Sequence, residues 1–342
     1  MAGDAFTRLN TALLCCVVLL AAAAVIGVYT RPGRSVAPPP AERPLGRRLV
    51  IPMGYFYGTY VMHLWLRNYE RPFRMRVDSG SSVLLFGDLP GCLDGSQTVC
   101  RPLPDRKVET VKFGDVQLPI RMTQFRPNVL TLGYIDGVPR IEPLSLRVRV
   151  ADDSRDYNLP VGFGGGADGL MAQLTVRRLQ LWLVDQTWSL VMPCQIVLSP
   201  TDSSGAHTVL LRAPLVPPHE LAAAIPGMAV ADAPTYVFRI TAPALPAAPE
   251  IQFAVVDIGS TLSYVPLATG DRVTADTIIP VVGTDRTIKL AQQETQPLTS
   301  RANLAPFGNR VIVIGNRALN NLVVDIDLDD GPTGMIRLLR PG

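Results

Sequence analysis

Charged residues are few in this chain, 18% of 342 residues, and the two signs nearly balance, leaving a net charge of +3. Lys and Arg form no stripe interleaved with aromatics, so the electrostatic footprint of a nucleic-acid binder is missing. Histidine is scarcer still. His63, His207 and His219 are the only three, without ligand spacing and without an adjacent cysteine pair, which argues against a zinc centre. No Gly-x-Ser-x-Gly elbow occurs, and the usual signature of an α/β hydrolase goes with it. Gly162-Phe163-Gly164-Gly165-Gly166-Ala167 approximates a nucleotide-binding fingerprint, but no alternating strand–helix–strand pattern surrounds it. Asp325, Asp327, Asp329 and Asp330 lack the spacing of a calcium loop and read as a polar strand edge and turn. Neither a metal nor a cofactor is expected.

What the chain does have is apolar surface and turns. Hydrophobic residues make up 47%, and 28 Gly and 31 Pro are scattered along the whole length. Many short strands joined by turns fit that composition better than long helices. Strand-like runs include Phe73–Val77, Ser82–Phe86, Leu146–Val150, Tyr236–Ile240 and Val311–Ile314. Three segments look helical: Leu174–Leu183 with Arg177 and Arg178 on its outer face, Glu220–Ala224, and Arg317–Leu322. The length exceeds one ordinary core, so two domains or one large β protein is the starting expectation.

The N-terminus differs from the rest. No charge occurs from Leu9 to Thr30, and Ala12–Tyr29 is almost wholly apolar. A membrane-spanning helix needs about 20 such residues, so residues 1–30 read as a signal anchor, with a cleaved signal peptide as the alternative because Ala21–Ala24 are small. Arg31, Arg34, Arg43, Arg47 and Arg48 follow the run and only Arg8 precedes it, a weak guide to topology since long domains translocate regardless of charge. Residues 31–50 are rich in Pro and Arg and read as an extended linker. Of five cysteines, Cys15 and Cys16 lie in the apolar run. Cys92 and Cys100 flank a Gly/Asp/Ser-rich loop and are spaced for a small disulfide, with reduced surface thiols as the alternative. A bridge there would place the body of the protein in a lumen or outside the cell. Cys194 is expected to be a buried small hydrophobe.

The chain also repeats itself. Val77-Asp78-Ser79-Gly80-Ser81-Ser82 recurs as Val256-Asp257-Ile258-Gly259-Ser260-Thr261, each copy preceded and followed by a strand-like run. One Asp-x-Gly-Ser turn says little, because Asp before Gly commonly caps its own backbone. Two copies at the ends of apolar strands, more than half the chain apart, imply two similar lobes. Gly80 and Gly259 would let two loops meet closely, and Ser81 and Ser260 can donate to the carboxylates. Two adjacent carboxylates cannot both ionise cheaply and share a proton. One then acts as general base on a bound water while the other protonates the carbonyl under attack.

Val77–Phe86 and Val255–Pro266 together resemble the two active-site loops of pepsin-like aspartic proteases. Further segments are similar to that family in order and spacing over roughly residues 51–340. They are Tyr57-Gly58 through Phe73, Ala167–Ala172, Trp188–Val191, and Ile312–Leu319 followed by Val323-Val324-Asp325. Cys92 and Cys100 sit where many members have a small disulfide loop.

The resemblance implies an all-β, bilobal fold with lobes at about 51–197 and 198–342. It also implies a catalytic pair, Asp78 and Asp257, supported by Ser79, Gly80, Ser81, Gly259, Ser260 and Thr261. Three positions depart from the pattern. Members carry Thr or Ser after each catalytic Asp, and the two hydroxyls lock the loops together; Ser79 can do this and Ile258 cannot. Leu85 stands where the family places a Trp. For the flap tyrosine, Phe113 and Tyr134 are both candidates, with Phe113 favoured by spacing.

The expected function is endopeptidase cleavage of a peptide or protein substrate by a monomer, tethered to a membrane by its N-terminal segment or else secreted. A pepsin-fold peptide- or protein-binding protein with little or no catalysis is the alternative.

Overall fold

The computed structural model describes residues 47–56, 58–66, 72–80, 85–86, 108–111, 120–125, 128–135, 138–146, 148–151, 160–162, 169–183, 194–199, 207–228, 233–241, 252–267, 271–298 and 310–341. The expected anchor, Tyr57, Ser81, Cys92, Cys100, Phe113, Ala167-Asp168 and Trp188–Val191 lie outside them, as does the linker up to residue 46. Among the described residues no helix is long and apolar enough to cross a membrane.

The protein is all-β and bilobal, with only a few short helices. A twelve-stranded sheet forms the backbone of the molecule. From one edge it runs through Pro160–Gly162, Phe73–Asp78, Thr59–Leu66, Asn128–Ile135 and Leu49–Pro52. It continues through Gln195–Ser199, Arg178–Leu183, Leu322–Asp327, Met335–Pro341 and His207–Pro214. Two more strands, Gly54–Phe56 and Val138–Ser145, pair onto this path. The lobe junction expected near residue 197 falls inside Gln195–Ser199, so one sheet carries strands from both halves of the chain. A five-stranded sheet belongs wholly to the second half: Val237–Arg239, Phe253–Asp257, Val311–Gly315, Ser263–Val265 and Thr295–Pro297.

Alternation along the strands builds the core. Met75 and Val77 are buried from the first motif strand, and Ala254 and Val256 from the second, all in one apolar cluster that also takes in Ile258 and Ile314. Phe253 and Val255 point the other way. They join Val216, Leu221, Ile225 and Val311 in a second cluster beneath the helix Pro218–Ala224. That helix is the one expected at Glu220–Ala224, with Pro in its first turn where a missing N–H is harmless. The third expected helix is a 3₁₀ turn, Asn316–Leu319, leading into the strand Leu322–Asp327.

Two expectations are corrected. Leu174–Leu183 is not helical: the helix is Leu170–Gln173, Thr175 turns the chain at φ 54°, and Arg178–Leu183 is a strand. Leu179, Leu181 and Leu183 alternate with Gln180 and Trp182, a period of two that neighbouring strands on both sides complete. Asp325 is not on a polar edge. Its strand lies between Arg178–Leu183 and Met335–Pro341, and the residue is fully buried. Arg178, expected on an outer face, is buried against it and donates to both carboxylate oxygens, at 2.9 and 3.1 Å.

Arg337 Nη1 donates to the same carboxylate at 2.6 Å and its Nη2 reaches Asp327 and Asp330. Arg212 also holds Asp330, at 2.9 Å, while the exposed Arg177 pairs with Asp329 at 2.9 Å. Burial opposes ionisation of Asp330, but Arg337 and Arg212 hold its carboxyl below the usual range. The four aspartates are thus partners of arginine. No group of three metal-ligating side chains gathers among the described residues.

Candidate active site

Each repeated motif begins at the C-terminal end of a strand. Phe73–Asp78 pairs in parallel with Pro160–Gly162, setting Asp78 beside Gly162. Phe253–Asp257 pairs in parallel with Val311–Gly315, setting Asp257 beside Gly315. Gly162, the first residue of the discounted nucleotide fingerprint, therefore has a structural place as the neighbour of Asp78.

In both copies the Asp bends back on its own turn. The Gly80 N–H donates to Asp78 Oδ1 at 2.9 Å, and the Gly259 N–H donates to Asp257 Oδ1 at 3.0 Å. In the second copy Ser260 Oγ also donates to Asp257 Oδ2 at 2.6 Å, while its counterpart Ser81 lies outside the described residues. The two loops meet face to face. A Cβ on Gly259 would stand 2.5 Å from Asp78 Cγ, and one on Gly80 would stand 2.9 Å from Asp257 Cγ. Any side chain at either glycine would occupy the space of the opposite carboxylate, the close approach for which glycine is suited. Asp78 and Asp257 are hydrogen-bonded to one another.

Their electrostatics follow from this contact. Burial and the nearby Asp257 charge raise the pKa of Asp78 from 3.8 to about 7. The Arg76 guanidinium and the Gly80 N–H pull the other way. Arg76 Nη2 lies 3.7 Å from Asp78 Oδ2, an ion pair too long for a hydrogen bond.

The lock between the loops is half built. Ser79, buried, donates through Oγ to Val256 O at 2.7 Å and accepts from the Ile258 N–H at 3.0 Å. Ile258 has no hydroxyl with which to return the bond, and its side chain is instead fully buried in the main apolar cluster. Other bonds tie the loops down. Asn316 Nδ2 donates to Gly58 O at 2.9 Å and to Ile258 O at 3.1 Å, and Thr261 Oγ1 donates to Gly58 O at 3.0 Å. The Asn316 N–H donates to Ser260 O at 2.8 Å.

Asp78, Ser79, Gly80, Asp257, Gly259, Ser260 and Thr261 thus come together. Tyr134 does not join them. It sits in Asn128–Ile135, paired with Val50 and Pro139, exposed, and two strands away from Phe73–Asp78. Sequence reasoning missed Arg76 and the Asn316–Gly58 bond. Arg76 was findable, since residues two apart on a strand share a face. The Asn316–Gly58 bond joins residues 258 positions apart and left no local signal.

No family model matches the chain, and no curated protein matches its sequence. Solved structures do match its shape. The crystal structure of an aspartic proteinase from Irpex lacteus aligns with a TM-score of 0.54 and 14% identity, covering 86% of this chain and 98% of that one. The crystal structure of a protein called edgp aligns with a TM-score of 0.55 and 12% identity, covering 87% and 95%. The fold is that of the pepsin-like aspartic proteinases.

Proposed function

We propose that the chain is an aspartic endopeptidase, and the observation that carries this reading is the pair of hydrogen-bonded carboxylates, each braced by the N–H of its own turn. A water held between them is the nucleophile. With the shared proton on Asp78, Asp257 takes a proton from that water as it attacks the scissile carbonyl, and Asp78 protonates the carbonyl oxygen. As the tetrahedral adduct collapses, Asp257 gives its proton to the leaving amine nitrogen and Asp78 takes one from the hydroxyl that becomes the new carbonyl, which returns the dyad to its starting state. This chemistry calls for no metal, cofactor or covalent intermediate. The raised pKa of Asp78 supports activity that extends toward neutral pH and declines as pH rises through about 7.

The alternative is a pepsin-fold protein that binds peptides with little or no hydrolysis. Ile258 is the observation in its favour, because the second loop cannot return the Ser79 bond. The N-terminal apolar segment supports a tether that holds a monomeric body in a lumen or outside the cell, and a disulfide between Cys92 and Cys100 belongs to the same reading.

The test is hydrolysis of a mixed peptide library by the full chain in mild detergent between about pH 3 and 7, with Asp78→Asn as control. Cleavage that disappears in Asp78→Asn and with a transition-state-mimicking inhibitor supports the enzyme. Folded protein that binds the inhibitor but cleaves nothing would move the conclusion to the binding reading.

A further inference from the structure

Side chains along Phe73–Asp78 alternate. Met75 and Val77 enter the core, and Arg74, Arg76 and Asp78 share the opposite face. In the second motif strand the positions equivalent to Arg74 and Arg76 are Phe253 and Val255, both sealed in the apolar cluster beneath Pro218–Ala224. One half of the repeat therefore uses this face for packing. The other half lays two cations along it, ending at the dyad.

Arg76 is partly buried, with 28% of its side chain exposed, and its contact with Asp78 is an ion pair without a hydrogen bond. Its Nε is buried and has no hydrogen-bond partner. Arg74 is exposed and holds its guanidinium 5.1 Å from the ring centroid of Phe56. A guanidinium presents a planar fork of donors matched to a carboxylate, and here the fork stands beside the reacting groups with its donors unmet.

We propose that Arg76 is a specificity-determining residue that binds an acidic side chain flanking the scissile bond, so that the preferred substrates are acidic peptides. The inference rests on the endopeptidase reading of this site. A substrate carboxylate would approach through the 28% of the side chain that remains exposed and give the guanidinium the hydrogen-bonded acceptor that Asp78, at 3.7 Å, does not supply. A neutral side chain would bring no such carboxylate, and a lysine there would be repelled, so discrimination has both an attractive and a repulsive part.

The test uses the full chain at about pH 5.5, where a Glu side chain is mostly ionised. Fluorogenic peptides differ only in Glu, Gln or Lys at each position flanking the bond. The same series with the scissile amide replaced by an uncleavable hydroxyethylene group is titrated by calorimetry. Wild type should favour Glu over Gln by about tenfold or more in kcat/KM and in affinity, with Lys poorest. Arg76→Leu should bring the Glu:Gln ratio to within about twofold, and Arg76→Lys should retain part of it. Because the ratio is taken within one variant, damage common to all peptides cancels. If Arg76→Leu does not fold, Arg76→Gln carries the same comparison.

A wild-type ratio near unity, or a ratio that survives loss of the guanidinium, overturns the proposal. Cleavage without discrimination keeps hydrolysis and rejects the recognition. Arg76-dependent preference in binding without any cleavage keeps the recognition and rejects hydrolysis. Neither binding nor cleavage of any peptide rejects both.

Discussion

The two Asp-x-Gly turns have nearly the same local geometry and quite different surroundings. In each, the glycine N–H two residues on braces the Asp, and a parallel strand brings Gly162 or Gly315 alongside. The first copy sits low in the site, with Asp78 only 8% exposed, an arginine two residues before it and a hydroxyl just after it. In the second, Val255 and Ile258 occupy those two places. A shared loop conformation is therefore compatible with unlike electrostatics. The loop orients a carboxylate, and the neighbours decide its charge.

The largest effects should come from the carboxylates. If the proposed endopeptidase chemistry operates, Asp78→Asn and Asp257→Asn should each lower kcat by about a thousandfold or more, since each would remove one of its two proton-transfer groups. Stability reads the Asp78 carboxyl. Because the Asp78 pKa is raised in the folded protein, wild type pays no penalty below about pH 4, loses stability as pH rises from about 4 to 7, and carries the full penalty above. Asp78→Asn should flatten that slope, gaining up to about 4 kcal/mol over wild type at pH 8 relative to pH 4. Denaturant melts at the two pH values read it, and an unchanged slope would place the proton elsewhere.

Next come the glycines that hold the loops together. Gly259→Ala and Gly80→Ala should each reduce turnover by about a hundredfold or more through misplacement of the opposite carboxylate. Gly259→Ala should be the worse, because its Cβ would meet Asp78 Cγ at 2.5 Å against 2.9 Å for Gly80 and Asp257. Equal losses would mean that the loops yield equally.

A change that ignores the repeat serves as the control. Asp325→Ala would take the carboxylate from the buried Arg178 and one of three from the half-buried Arg337, and should destabilise the protein by about 3–5 kcal/mol in urea unfolding. That burial is no proof that the ion cluster adds stability over an apolar core, but half of it cannot be removed cheaply.

The smallest effects should fall on the half-built lock. Ser79→Ala removes a donor to Val256 O and an acceptor for the Ile258 N–H, and should cost about 1–3 kcal/mol. Ile258→Thr should change kcat by less than about tenfold, because Ser79, Asn316 and Thr261 already tie the loops. A larger gain in a peptidase assay would show that the missing hydroxyl limits the site.

Much of the site was legible before the structure, and the reasons are local. An apolar strand ending in Asp-x-Gly, twice, announces a turn that braces a carboxylate, and glycine announces a close approach. Arg76 lay within reach of the same reasoning, since strand alternation places it on the face of Asp78. Its meaning did not, because nothing in the string says that the matching positions near Asp257 would be roofed by a helix. Arg178–Leu183 misled for another reason: a short leucine-rich run fits both periodicities until its neighbours are known. Asp325 read as surface because acidic residues usually are, and its two arginines come from different strands.

By itself, then, the sequence determined the two strands that lead into the paired turns, the turns and the two carboxylates they present, because each depends on residues a few positions apart. Only the tertiary structure decided that Asp78 is the carboxyl driven toward its neutral form, that Ser79 binds the backbone of the opposite strand and loop, and that Arg76 stands beside Asp78 as an ion pair without a hydrogen bond. Desolvation, charge and hydrogen bonding across the site come from groups far apart in the chain, and folding alone brings them into contact.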